Sequence, residues 1–318
     1  MASEQQPPSL LIPTQADWRD AHDHLDLVEA YRKLEPKLGY KWTFRAVPGF
    51  FEQDEKDTDD LHFNYISNFG RLKPWDQIVR ELTQLNEQAA ENESYKLVFC
   101  ARHGQGYHNV VVEKYGLDAW HEKWHALGTD GDITWAPDPQ LTPKGEAQAK
   151  ENHDSWQKQL GEGAPVPQRF FVSPLQRSCQ TFSLTWQGLL DPNTPVVIDE
   201  LLRETIGVNF CDKRSSKSVI HDRFPNFTID PNVTEEDELY TENYRENLAE
   251  QSVRINQWLQ KLFDADDGKS DRLASQVIST TTHAMTIRSF ITVTHHREFV
   301  ISTGGMIPIL IKGVATKQ

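Results

Sequence analysis

The segment that most restricts this chain is Tyr95 to Ala101 (YKLVFCA), an apolar run that stops at a basic pair and two glycines, Arg102-His103-Gly104-Gln105-Gly106. A short apolar run without alternation reads as a strand buried on both faces. The pattern recurs: Arg169–Val172, Val196–Asp199 and Gln276–Thr280 read as further strands. Helical segments separate them. Trp75, Ile78, Val79, Leu82 and Leu85 recur at helical spacing, which predicts a helix over 75–90. Others run from Thr142-Pro143 to about Leu160, from Ser173-Pro174 to about Leu189, over Tyr244–Phe263 and over Ala284–Thr294. The tail, Phe299–Ile311, reads as one or two short strands split by Gly304-Gly305. Strands alternating with helices predict an α/β three-layer sandwich with a mostly parallel central sheet.

Residues 1–70 read as an N-terminal extension packed on the core, beginning with a polar arm over 1–15. Its stretch Glu52–Asp60 holds six acids and one lysine and reads as a solvated loop. Residues 71–318 read as the main domain. Within it, 206–240 is an irregular insertion with a basic first half (Lys213, Arg214, Lys217, Arg223).

Charge narrows the class of partner. Against 33 Lys and Arg stand 47 Asp and Glu, a formal net charge of −14. That argues against nucleic acid, whose binding rests on cationic side chains neutralising phosphates. A few arginines in a cleft still make a local site for a small anion. No apolar run reaches the length of a membrane helix, and the first residues lack the basic and apolar regions of a signal peptide. Cys100, Cys179 and Cys211 read as reduced thiols. The expectation is a cytoplasmic or also nuclear protein, with no membrane or nucleic-acid partner; the sequence leaves the oligomeric state open.

Four polar segments each follow a predicted strand, where open parallel sheets bind their ligands. The first is Arg102 to Asn109 (RHGQGYHN), a basic pair beside glycines that let backbone approach a ligand. It imitates the start of a dinucleotide-binding G-x-G-x-x-G, but Asn109 occupies the third position, where a small residue is required. The second, Ser173 to Thr181 (SPLQRSCQT), places Arg177 in a helix first turn, adding a guanidinium to an end that already attracts anions. The third, Leu201 to Thr205 (LLRET), offers Glu204 as a proton donor. The fourth, Thr281 to Arg288 (TTHAMTIR), sets His283 between a strand and a helix. A separate H-E-x-x-H match, His121 to His125, sits on a short predicted helix capped by Asp118, with Trp120, Trp124 and Leu127 as its apolar stripe. No following segment supplies a third ligand, so no metal is expected.

Taken in order, these segments resemble the histidine phosphatase superfamily, which includes phosphoglycerate mutases. Arg102 to Asn109 matches R-H-G-x-x-x-x-N, and Ser173 to Thr181 matches S-P-L-x-R-x-x-Q-T. Leu202-Arg203-Glu204 is similar to the acid segment, and His283 to Arg288 follows H-G-x-x-I-R with Ala284 in place of glycine. Leu141 to Ala149 is similar to the L-T-x-x-G-x-x-Q-A helix start. Val47 to Phe51 and Phe210 to Lys217 resemble a fungal phosphomutase-like branch. The resemblance implies a phosphoglycerate mutase-like fold and a metal-independent phosphatase without cofactor, acting on a small phosphorylated metabolite through a phosphohistidine. It assigns His103 as nucleophile and Glu204 as acid, with Arg102, Arg177, His283 and Asn109 holding the phosphoryl group. Gln105, Gly106, Ala284 and Arg214 are candidates for further substrate contacts. Gln105, where many mutases carry Glu, leans toward the phosphatase side. The alternatives are a phosphomutase and, from another class, a non-enzymatic binder of phosphorylated ligands.

Overall fold

Alternate residues of the strand Glu93–Arg102 are buried in opposite layers, and this is why the run shows no period. In the computed structural model, which describes residues 8–265 and 269–316, that strand lies inside a seven-stranded sheet. The strands are β1 (Trp42–Ala46), β2 (Glu93–Arg102), β3 (Arg169–Val172), β4 (Val196–Ile198), β5 (Thr228–Ile229), β6 (Val277–Thr282) and β7 (Met306–Ala315). Their spatial order is β1-β7-β2-β6-β3-β4-β5. The five from β2 to β5 in that order are parallel, and β7 runs antiparallel to both β2 and β1.

The helices are α1 (Gln15–His22), α2 (Leu25–Leu34), α3 (Trp75–Gln88), α4 (Tyr107–Tyr115), α5 (Leu117–Glu122), α6 (Pro143–Gly161), α7 (Gln176–Thr185), α8 (Lys217–Arg223), α9 (Leu248–Asp264), α10 (Lys269–Ala274) and α11 (Ala284–Thr294). Leu97 and Phe99 of β2 pack with Trp75 and Leu82 of α3, Trp156 of α6 and Phe182 of α7. Val98 and Cys100 pack on the other face with Trp258 and Leu262 of α9 and Phe290 and Ile291 of α11. The fold is therefore the expected three-layer α/β sandwich. Among the described residues no helix is long and apolar enough to cross a membrane.

Register sets the position of the site. Arg102 of β2 pairs with Thr282 of β6, and Val172 of β3 pairs with Thr281. Three strands thus end level, and His103, Ser173 and His283 leave them side by side.

Several boundaries differ from expectation for local reasons. The helix after β3 begins at Gln176, because Leu175 is still extended and Asp138 Oδ1 accepts from the Gln176 N–H at 2.8 Å; it ends at Thr185. The helix expected from Tyr244 starts at Leu248, where Asn247 and Glu250 form a capping box. The tail holds one long strand, β7, which starts after the turn at Gly304 (φ +75°). The insertion 206–240 is more regular than expected: it carries α8 and supplies β5 to the sheet edge. The acidic stretch 52–60 is not wholly solvated, since Asp54 pairs with His296 at 3.0 Å and Asp60 with Arg297 at 2.7 Å.

The loop after β2 lies directly on the first turn of α6. A Cβ on Gly104 would collide with the Gly145 backbone, and a Cβ on Gly145 with the Gln105 backbone. Two glycines are what this crossing requires. Gly145→Ala is therefore expected to lower unfolding free energy by about 1–3 kcal/mol, as overpacking does. Gly161→Ala, which meets nothing within 4 Å at the end of the same helix, is expected to leave it unchanged or slightly raised. Urea unfolding of the two variants tests the contrast.

Candidate active site

His103 emerges from β2 with its N–H donating to the Thr282 carbonyl at 3.0 Å and its own carbonyl accepting from Gly304 N at 2.8 Å. The following backbone N–H groups are held by side chains of other elements. Gly104 N donates to Thr181 Oγ1 of α7 at 3.0 Å, and Gln105 N to Gln148 Oε1 of α6 at 2.8 Å. Gln180 Oε1 accepts from Leu141 N at 2.9 Å. The glutamines and threonine of the later motifs thus fix the loops around His103.

The rings converge. His103 and His283 have centroids 5.0 Å apart, and His103 and His108 5.5 Å apart. His103 Nδ1 lies 2.6 Å from the Gly104 carbonyl. A carbonyl only accepts, so Nδ1 carries the proton and the lone pair sits on Nε2. His283 Nε2 lies 2.7 Å from Ser173 Oγ. Burial, and next the Arg177 guanidinium, hold all three imidazoles well below the ordinary histidine range.

Both arginines are buried, and each is anchored by a carboxylate from outside its own motif. Arg102 Nη1 donates to Asp17 Oδ1 of α1 at 2.5 Å and to the Ile301 carbonyl at 2.7 Å. Arg177 Nη2 donates to Asp212 Oδ1 at 2.8 Å, and its Nη1 to the Cys211 carbonyl at 3.1 Å. The Nε atoms of both arginines, with Nδ1 of His283 and of His108, are buried polar atoms without partners. A bound oxyanion fits such a set of groups, because unmet buried polar groups are costly.

Glu204 is half-buried and accepts from Thr205 N at 2.8 Å. Burial first, then the Asp212 carboxylate, raises its pKa, against the pull of the Thr205 N–H and of Arg177. Asp20 of α1 stands near Arg102 and Glu204 and is pushed up to about 7 by burial. Beside Arg102, a cavity of about 20 Å³ is lined by Asp17, Asp20, Ala284 and Arg288. It has room for about one water.

The structure brings His103 and His283 together within reach of Arg102 and Arg177, and sets Glu204 within reach of both arginines. Gly106 also belongs, since only its missing Cβ admits the His108 ring beside Arg177. Ala284 opens α11 and lines the cavity beside Arg102. Asn109 turns its side-chain oxygen to Gly106 N at 2.9 Å, closing the loop. Gln105 is not placed for substrate contact: its amide donates to Glu113 Oε1 at 2.9 Å and accepts from Thr142 Oγ1 at 2.8 Å. Arg214 is likewise corrected. It is buried, its Nε donates to Glu200 at 2.9 Å, and its two Nη groups donate to the carbonyls of Ser215, Thr234, Glu235 and Glu236. It ties the insertion together rather than facing a substrate.

The H-E-x-x-H match fails on geometry. Gly116 rather than Asp118 caps α5, which ends at Glu122; Lys123 leaves helical angles (φ −142°, ψ −55°), and His125 sits in a separate turn with Nδ1 2.9 Å from the Trp120 carbonyl. Among the described residues no group of three or more His, Cys, Asp or Glu is arranged to hold a metal ion.

Sequence reasoning missed three residues. His108 lies inside a motif that had been singled out, and Asp212 inside the Phe210–Lys217 stretch. Asp17 had no signal, because only folding brings α1 to the end of β2.

A sequence profile of the histidine phosphatase superfamily, branch 1, matches residues 121–300. A fungal protein of Arthroderma benhamiae named "Probable phosphoglycerate mutase" is 36% identical over 85% of this chain and 84% of its own length. "Phosphomutase-like protein 3" of Candida albicans is 35% identical, over 82% of this chain and 78% of its own. Among solved structures, a phosphoserine phosphatase of Entamoeba histolytica is 18% identical and aligns with a TM-score of 0.37, over 68% of this chain and 94% of that one.

The depressed imidazoles make a stability prediction. Below about pH 6.5 the unfolded chain binds protons that buried His283 refuses, so stability is lost as pH falls from that value. Replacing His283 by Gln removes this group. The stability difference, wild type minus variant, is expected to fall by up to about 1.4 kcal/mol per pH unit below that point. Denaturant titrations of both proteins between pH 7 and 5 give the slope; parallel curves contradict the assignment.

Proposed function

The chain belongs to the histidine phosphatase superfamily, and from that premise we propose that it is a phosphatase of small phosphorylated metabolites, working through a phosphohistidine on His103. One observation carries the reading: Arg102, Arg177 and His283 each keep a buried polar atom without a partner, both guanidiniums act on the His103 ring, and the His283 ring lies 5.0 Å from that imidazole, whose proton is fixed on Nδ1. Cationic and donor side chains already aimed at one point stabilise the charge that spreads over phosphoryl oxygens during transfer.

In the first step His103 Nε2 attacks phosphorus as the bond to the leaving oxygen breaks, and Glu204 gives that oxygen its proton. The raised pKa of Glu204 suits it to arrive protonated. In the second step water attacks the phosphohistidine, the Glu204 carboxylate takes a water proton, and the P–N bond breaks. Phosphate leaves and His103 returns to its neutral form.

A phosphomutase is the second reading, favoured by the names of the fungal relatives. It differs only in what accepts the phosphoryl group. A panel of phosphorylated metabolites, assayed for both phosphate release and transfer to a second metabolite, separates the two; tight binding without either leaves a phospho-ligand binder.

His103→Ala is expected to abolish turnover. Glu204→Gln is expected to cut it by about 10²–10⁴-fold, the usual span for a positioned acid, while binding of tungstate stays within a few-fold of wild type. Full turnover in either variant removes the role given to that residue.

A further inference from the structure

His108 is the second residue of α4 and the third imidazole at the site. Its ring is half-buried, tilted 50° to that of His103, with centroids 5.5 Å apart. The edge carrying Cε1 and Nδ1 lies against Gly106, 2.8 Å from where a Cβ would stand, with Arg177 Cδ beside the same point at 3.5 Å. Nδ1 is buried without a partner, as is Nδ1 of His283 across the site. Nothing local occupies this ring in the way that the Gly104 carbonyl occupies His103 or the hydroxyls of Ser173 and Ser178, at 2.7 and 3.3 Å, occupy His283.

The charges facing it come from three elements. Arg177 stands on α7, Arg102 and His103 at the end of β2, and His283 at the start of α11. On its own helix, Glu113 is engaged by Gln105 at 2.9 Å and Lys114 by Asp130 at 2.7 Å. The groups acting on the ring are thus cations and imidazoles, and together with burial they keep it neutral. An arriving phosphoryl dianion adds two negative charges among those groups and reverses that balance.

We infer that His108 is a phosphoryl-contacting residue that takes up a proton when the dianion enters and then holds it through an N–H···O bond. This rests on the reading that the pocket accepts a phosphoryl group. The proton comes from solvent and returns there when phosphate leaves, so no co-reactant is needed. The empty pocket then carries two cationic donors, Arg102 and Arg177, and gains a third, His108, only with a substrate in place. Affinity for a dianion accordingly falls as pH rises and the proton becomes harder to recruit.

The probe is tungstate, a dianion that does not itself titrate near neutrality. Calorimetric titration of the full chain at pH 7, in two buffers of different ionisation enthalpy, reads the protons taken up on binding. H108N is expected to take up fewer protons, by as much as one, and to bind about tenfold more weakly, as expected for loss of a hydrogen bond to a charged group. Equal uptake and equal affinity in H108N overturn the inference. So does weaker binding with unchanged uptake, which marks a packing role only. A wild-type chain that does not bind tungstate instead overturns the phosphoryl reading itself. The wild-type protein gives a check independent of any variant. In ring nitrogen–proton correlation spectra, with His108 assigned through its backbone, the ring is expected to pass from neutral to imidazolium as tungstate is added. A ring that stays neutral at saturation overturns the inference.

Discussion

Two guanidinium groups, Arg102 and Arg177, are held out of water within one pocket, and much of the surrounding structure follows from that. Each needs a counter-charge, and removing one partner of a buried pair costs about 3–5 kcal/mol. Asp17 and Asp212 supply it, at 2.5 and 2.8 Å. Asp17 is aimed by the capping box of α1, in which Thr14 N donates to its second oxygen at 2.7 Å. Asp212 is held in the insertion, which Arg203 ties down through Asp237 at 2.6 Å and through the Asp212 carbonyl at 2.9 Å. The N-terminal helix and the insertion, the two parts most remote from the sheet in sequence logic, are thus built into the site.

The same pairs decide the protonation of the rest. With both arginines buried near them, the three imidazoles are neutral, and a neutral ring is the form that attacks phosphorus. Asp212 acts in the opposite sense on Glu204, adding to burial in raising its pKa. One carboxylate therefore orients the Arg177 guanidinium and favours the acid form of the group beside it. The surroundings push the His103 and Glu204 pKa values in opposite directions, the division of labour that the proposed roles of the two groups require.

Much of this was legible in the chain. Strands buried on both faces announce themselves by composition, and the residues just past their ends mark the site because parallel strands finish level. His103, Arg177, Glu204 and His283 were singled out that way as candidates. Gln105 and Arg214 misled for a common reason: side-chain type says nothing about which hydrogen bonds are already taken. Both are spent on backbone and neighbouring side chains that only the folded chain brings near. Asp17 lies 85 residues from its partner, beyond the reach of any local pattern. The H-E-x-x-H match shows the converse, a motif whose helix ends before its second histidine.

The central claim is that phosphoryl transfer passes through a nitrogen of His103. Rapid quenching of the Glu204→Gln protein during turnover of p-nitrophenyl phosphate, whose leaving group needs no proton and so leaves only the hydrolysis of the intermediate slowed, under alkaline conditions that preserve P–N bonds, followed by peptide mass spectrometry, tests it most directly. The account predicts one added phosphoryl group on the peptide containing His103, and its disappearance when His103 is replaced. Turnover with no modified peptide, or a label that survives loss of His103, would contradict it.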